Sequence, residues 1–142
     1  MPEQNTLPEV IQGIVAVPQE DVRLLLEAGY LYMEFGKPDE AEEVFDGVGM
    51  MLPHSEVPQM ALGNLYFSQG RFNPALKAHQ KAVSLNDTSA AAHASVGEIL
   101  LFLRRPDEAM KELDKAINLD PEGSAGQFAE ALREAHSQGI FA

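Results

Sequence analysis

The chain has no cysteine and no tryptophan among its 142 residues. Without cysteine it can form neither a disulfide bond nor a thiolate zinc site, and it has no thiol nucleophile. This absence fits a reducing compartment. Long apolar runs are missing as well, whereas a membrane-spanning helix needs about 20 apolar residues. The first residues also lack the positive charge and apolar run of a signal peptide. We therefore expect a cytoplasmic protein that makes no contact with a membrane.

Basic residues are scarce, because 10 Lys and Arg stand against 22 Asp and Glu and give a net charge of -12. A chain this acidic repels the phosphates of nucleic acids, so we expect no nucleic-acid partner. The imbalance is greatest in residues 1–60, with 12 acidic and 2 basic residues, whereas residues 61–142 hold 10 and 8. Such asymmetry favours a basic or neutral partner, although an acidic face also keeps a protein soluble.

Patterns typical of catalysis or metal binding are absent from the sequence. It contains neither H-x-x-x-H nor H-E-x-x-H, and no phosphate-binding glycine loop or G-x-S-x-G element. Of the histidines, His79 and His93 are predicted to pack between helices. We expect a protein that is not an enzyme and that binds no metal and no cofactor.

What the sequence does contain is a repeat of 34 residues without gaps. The aligned columns include the following sets: Gly29, Gly63 and Gly97; Ala41, Ala75 and Ala109; Tyr32, Tyr66 and Leu100; Pro53, Asp87 and Pro121. A glycine inside a helix costs roughly 1 kcal/mol relative to alanine, so a repeated one favours a close helix crossing. Each unit is therefore predicted to form two antiparallel helices with small residues where they cross.

These columns resemble the tetratricopeptide repeat, whose pattern W-x2-L-G-x2-Y, A-x3-F, A and P runs over 34 residues. The resemblance implies an all-α fold, a right-handed solenoid of antiparallel helix pairs. It covers residues 22–123, divided into units 22–55, 56–89 and 90–123.

Two flanking segments are predicted to add one helix each. Residues 1–21 form a tail and a short helix with an apolar stripe of Leu7, Val10, Ile11 and Ile14. A helix of about ten residues is not stable alone in water. The stripe would therefore cap the first repeat, fill the groove or form a dimer contact between two copies. Residues 124–142 form a C-terminal capping helix, with an inward stripe of Phe128, Ala131, Leu132 and Ala135.

In this family the first helix of each unit lines a concave protein-binding groove. The corresponding positions here are Arg23, Leu26, Tyr30, Met33, Val57, Met60, Asn64, Phe67, Ala91, Ala94, Glu98 and Leu101. Most are apolar, methionine side chains adapt their shape, and Asn64 can both donate to and accept from a passing backbone. The groove is predicted to hold an apolar segment of another protein.

One well-known use of the family is not expected. Some tetratricopeptide domains hold the C-terminal carboxylate of heat-shock chaperones with Lys, Asn and Arg. The corresponding positions here are Leu26, Tyr30, Ala61, Ala91 and Ser95. None of these side chains can pair with a terminal carboxylate.

A narrower similarity is to the chaperones of bacterial type III secretion, which share three repeats with flanking helices, small size and acidity. Segments such as Ala41-Glu42-Glu43-Val44-Phe45 and Leu62-Gly63-Asn64-Leu65-Tyr66 carry it. The similarity implies a bacterial cytoplasmic chaperone for a secreted or assembly subunit. The alternative is a scaffold protein that oligomerises through its N-terminal helix and convex face.

Overall fold

A computed structural model describes residues 10–11, 14–15 and 18–142 of the chain. The elements in these residues are β1 (Val10–Ile11), β2 (Ile14–Val15), α1 (Gln19–Glu34), α2 (Pro38–Met51), α3 (Val57–Ser68), α4 (Phe72–Leu85), α5 (Ala90–Phe102), α6 (Pro106–Leu119) and α7 (Ser124–Ser137). In this part of the chain no helix is both long enough and apolar enough to cross a bilayer.

The helices form successive pairs. The most extensive contacts join α1 to α2, α3 to α4 and α5 to α6, and the second helix of each pair also packs on the first helix of the next. The helix α7 closes the stack against both α5 and α6. Ala41, Ala75 and Ala109 are completely buried in the second helices. The predicted all-α helical repeat fold is thus confirmed.

The glycine column marks the points where the two helices of a pair approach most closely. A β-carbon added at Gly97 would lie 2.5 Å from Leu113 Cδ2 and 3.4 Å from the backbone oxygen of Ala109. At Gly29 and Gly63 an added β-carbon would overlap the side chains that lie sixteen residues further on, Phe45 and His79. Each glycine therefore makes room for one large buried side chain of the partner helix.

The turn inside each pair uses a left-handed residue after the first helix. Gly36, Gly70 and Arg104 adopt φ angles of 71°, 73° and 62° at equivalent positions. At the third turn the N–H of Arg105 donates to the carbonyl of Leu100 at 2.9 Å, which completes a Schellman cap. Arg104 holds a conformation that glycine adopts without strain and that other residues rarely adopt.

The prediction of an N-terminal helix is wrong for the residues of this segment that the structure describes, 10–11 and 14–15. Val10 and Ile11 lie in β1 and Ile14 lies in β2, paired antiparallel in the register Val10↔Val15 and Ile11↔Ile14. All four of these residues are β-branched, so they lose side-chain freedom in a helix and fit a strand. Leu7, the remaining member of the predicted stripe, lies outside the described residues.

The C-terminal helix buries Leu132 as predicted and half-buries Ala135, but the prediction is wrong for Phe128 and Ala131. Its buried residues are Gly126, Ala129 and Leu132, whereas Ala131 is exposed and Phe128 is 41% exposed. The reason is that α7 packs against α5 and α6 at the same time. The buried residues of α7, which are three positions apart, lie on the side that contacts these two helices. Ala131 falls on the glycine column, which faces the second helix of a pair, and no such helix follows α7 among the residues described.

Candidate peptide-binding groove

The first helices α1 and α3 present the predicted groove positions of the first two units at the surface. The exposed ones are Arg23, Tyr30, Val57 and Asn64, and the half-buried ones are Leu26, Met33, Met60 and Phe67. Leu26 and Met33 also pack on the buried cluster around Phe45. Their inner atoms are therefore fixed by the core while their outer atoms remain available to a ligand.

A hydrogen bond between units crosses the middle of the groove. Asn64 Nδ2 donates to Tyr30 Oη at 2.9 Å, and these residues stand 34 positions apart. The Tyr30 ring packs on Phe45 with ring centroids 5.1 Å apart, so the acceptor is held in place. An amide has a second N–H and a carbonyl oxygen, and neither has a partner within the described part of the chain. These groups can bind the backbone of a ligand.

One end of the groove is a cleft of about 630 Å³ between α1 and the start of α3. Its apolar lining residues are Val22, Leu26, Leu52 and Val57. The charge of Arg23 at its edge is already matched, because its guanidinium lies 2.8 Å from Glu20 and 3.1 Å from Glu27. This cleft therefore suits an apolar side chain better than a carboxylate.

An aromatic cluster forms the other end and was not predicted from the sequence. The Phe67 ring lies 5.4 Å from Phe72 and 5.2 Å from Phe102, and Phe141 meets Phe102 edge-on at 5.5 Å. Rings at these separations attract each other through their edges and faces. The cluster extends the apolar lining beyond the predicted positions to Phe102, which is 42% exposed.

A sequence signal for this cluster existed in the repeat itself. Phe72 begins the second helix of its unit, where the other units begin with Pro38 and Pro106. Proline at the first position of a helix helps to start it, whereas a large aromatic residue at this position gives no such help. Such a departure from the repeat can therefore mark a position selected for contact.

The third unit does not provide the predicted open groove surface. Ala94 and Leu101 are each only 1% exposed and belong to a core cluster with Ala129 and Leu132 of α7. The prediction was wrong for these two residues because α7 covers that side of α5. Ala91, at the start of α5, remains exposed.

Glu98 occupies the same column as Tyr30 and Asn64, so the three polar groups follow one another along the groove. Glu98 is half-buried, and this burial raises the pKa of its carboxyl group. A ligand that donates a hydrogen bond or carries a positive charge would stabilise its ionised form. The groove therefore favours, beside Glu98 in the third unit, a ligand group that donates a hydrogen bond or carries a positive charge.

The two histidines predicted to pack between helices are both buried. Burial lowers the pKa of His79 to about 4, and its Nδ1 has no partner among the described residues. His93 Nε2 donates to the carbonyl of Asp87 at 2.7 Å, and its Nδ1 lies 2.8 Å from Glu112. In the described segments no three His, Asp or Glu side chains are grouped to hold a metal ion.

Comparison with known proteins gives a consistent result for the fold. Residues 60–124 match the family model of the tetratricopeptide repeat. The chain is 24% identical over 100 residues to anaphase-promoting complex subunit 3 of Schizosaccharomyces pombe. The aligned residues make up 70% of this chain and 15% of that protein. The chain spans only 15%, 18% and 16% of three curated relatives that it matches.

Solved structures cover more of the molecule. The type III secretion translocator chaperone SycD of Yersinia enterocolitica is similar over 84% of this chain and 92% of its own, with a TM-score of 0.75 and 16% identity. The first tetratricopeptide domain of Spaghetti (RPAP3), bound to the HSP90 peptide SRMEEVD, covers 89% and 100%, with a TM-score of 0.74 and 25% identity. PcrH bound to the chaperone-binding region of PopB covers 84% and 96%, with a TM-score of 0.70 and 20% identity. Together with the glycine-centred helix pairs and the family model matched by residues 60–124, these likenesses show that the described residues have the helical repeat fold of tetratricopeptide repeat proteins.

Proposed function

We propose that this protein is a non-enzymatic chaperone of bacterial type III secretion, located in the cytoplasm. It holds an apolar segment of a translocator subunit in the groove until export. The observation that carries the proposal is the groove of the first two units, where apolar side chains surround the Tyr30–Asn64 hydrogen bond. Support for the specific role comes from the shared fold of SycD and of PcrH, which is seen with the chaperone-binding regions of PopB and PopD.

The groove can supply both affinity and register. An apolar side chain of the partner that becomes buried beside Leu26 or Met60 contributes about 1.5–3 kcal/mol. A second apolar side chain can contact the aromatic cluster at Phe67 and Phe102. The free amide groups of Asn64 lie between these sites and can bind one peptide unit of the partner. A partner segment is therefore held by its side chains and aligned by its backbone.

Charge distinguishes this ligand from the acidic peptide bound to the Spaghetti domain. Arg23 is the single Lys or Arg among the predicted groove positions, and two carboxylates already neutralise it. Glu98 adds a carboxylate in the third unit. An acidic tail would thus meet no free cation in the groove, whereas an apolar or weakly basic segment meets no repulsion.

The test captures the tagged full-length protein from its native host and identifies the bound proteins by mass spectrometry. Met60→Glu places a charge in the groove, and Met50→Glu places the same charge on α2, where Met50 is 79% exposed. We expect wild type and Met50→Glu to retain a translocator subunit and Met60→Glu to lose it. Far-UV circular dichroism checks that both variants keep their helical content.

A second pair of variants examines the hydrogen bond. Tyr30→Phe removes only the acceptor of Asn64, whereas Tyr30→Ala also removes the ring that packs on Phe45. We expect the subunit to bind more weakly to Tyr30→Phe and not at all to Tyr30→Ala. Equal recovery of the subunit by wild type, Met60→Glu and Tyr30→Ala would refute the groove assignment. Capture of proteins unrelated to secretion through the same groove would refute the specific role alone.

A further inference from the structure

The outward face of α1 carries an apolar stripe that does not belong to the groove. Leu24, Leu31 and Phe35 are 53%, 50% and 72% exposed. Their spacing of seven and four residues puts them on one side of the helix, opposite Val22 and Gly29, which are buried against α2. Three large apolar side chains therefore face outward together at the first unit.

The repeat shows what covers this face elsewhere in the molecule. A shift of 34 residues places Leu24 on Pro58 and Leu31 on Leu65, and both of these residues are buried. Pro58 lies against α2, since a β-carbon added at Gly49 of that helix would be 3.6 Å from Pro58 Cβ. The equivalent residues of the third unit are also buried; they are Ala92 and Ile99. In both units the cover is the second helix of the preceding pair, and no helix precedes α1 in the described residues.

One edge of the stripe is acidic. Glu20, Glu27 and Glu34 follow one another at intervals of seven residues along α1, beside the apolar positions. Arg23 pairs with the first two of these carboxylates and supplies a single positive charge for both. The edge is therefore negative, and Asp21 adds a further acidic residue on the opposite edge.

We propose that this face binds an α-helix of another protein, with an apolar stripe flanked by Lys or Arg. The helix packs on α1 as α2 packs on α3, so the solenoid gains one helix. Its apolar side chains cover Leu24, Leu31 and Phe35, and its basic side chains reach Glu27 and Glu34. The surface is separate from the groove and does not depend on the groove's ligand.

Charge complementarity favours a partner over the two occupants that the chain itself could offer. A second copy in a symmetric contact would bring its own row of glutamates against Glu20, Glu27 and Glu34. Residues 1–17 contain Glu3 and Glu9 and neither Lys nor Arg, so they supply no opposite charge. A basic amphipathic helix from a partner matches both the apolar stripe and the acidic edge.

The test uses a designed helical peptide of about 18 Leu and Lys residues with one apolar and one basic face. A matched peptide carries Glu in place of Lys. Fluorescence anisotropy with the full-length protein at physiological salt measures both affinities. We expect the Lys peptide to bind at least about tenfold more tightly than the Glu peptide. Glu27→Gln combined with Glu34→Gln should weaken binding about fivefold.

Two neutral substitutions distinguish this face from the groove. Leu31→Gln removes an exposed apolar contact and should weaken binding of the Lys peptide about tenfold, while Met60→Gln should leave it unchanged. Equal binding of the two peptides, or an unchanged affinity for Leu31→Gln, would overturn the proposal. If Met60→Gln lost binding while Leu31→Gln kept it, the peptide would lie in the groove, and the proposal would also be overturned. A wild-type dimer that Leu31→Gln converts to a monomer would assign the face to a second copy and also overturn it.

Discussion

The tight packing of the glycine column predicts that Gly97→Ala destabilises the protein although it improves helix propensity. The new β-carbon would lie 2.5 Å from Leu113 Cδ2 and 2.7 Å from Leu113 Cγ, whereas carbon atoms in contact are about 3.5–4.0 Å apart. Leu113 is completely buried and would have to move by about 1 Å. Overpacking of this kind costs about 1–3 kcal/mol, against a propensity gain of about 1 kcal/mol. We expect a net loss of up to about 2 kcal/mol in the free energy of unfolding.

Gly47→Ala is the matched control for this substitution. Gly47 also lies inside a helix, but apart from its chain neighbours and the adjacent backbone of that helix no atom lies within 4 Å of the position of an added β-carbon. The propensity gain is then unopposed, so we expect a stabilisation of about 0.5–1 kcal/mol. Urea unfolding followed by far-UV circular dichroism gives both values. If Gly97→Ala stabilised the protein as much as Gly47→Ala does, the argument from close helix packing would be refuted.

Two further predictions concern His79 and Arg104. The pKa of His79 is lowered from 6.5 to about 4 by burial, so the unfolded chain binds the proton first as the pH falls. The free energy of unfolding should therefore fall by about 3 kcal/mol as the pH falls from 6.5 to about 4, and His79→Leu should remove this part of the pH dependence in urea titrations. Arg104→Gly relieves a left-handed φ angle of 62° but removes the hydrogen bonds from its guanidinium to the carbonyls of Phe141 and Ala142, both 2.6 Å. Global stability should rise by up to about 1 kcal/mol, while hydrogen exchange at residues 140–142 accelerates; unchanged exchange there would contradict the proposed anchoring.

The parts of the fold that repeat could be predicted from the sequence. Each unit contributes the same glycine, alanine and turn positions, so three copies of one pattern fix the helix pairs and their stacking. The same register placed the predicted groove positions of α1 and α3 at exposed or half-buried sites. The N-terminal segment has no second copy to compare, and its Val and Ile residues fit the spacing of a helix and of a hairpin alike. Periodicity alone could not decide between them.

Burial at the ends of the stack could not be read from the repeat. Ala94 and Leu101 have the register of groove residues, but their exposure depends on which face α7 turns toward α5. The aromatic cluster similarly depends on Phe141, which lies beyond the last predicted repeat and reaches Phe102 only in the folded chain. Contacts between a repeat and a non-repeating element need coordinates because no pattern relates the two.

The start of the described stack also explains why two candidate binding surfaces meet on α1. Every first helix has one face for its own pair, one for the preceding pair and one for the groove. In α3 and α5 the face for the preceding pair is buried, and in α5 the groove face is covered as well at Ala94 and Leu101. In α1 both remain exposed, with Tyr30 on one and Leu31 on the other. The position of α1 as the first helix of the described residues, rather than an unusual residue within it, therefore leaves two adjacent candidate ligand surfaces on one helix.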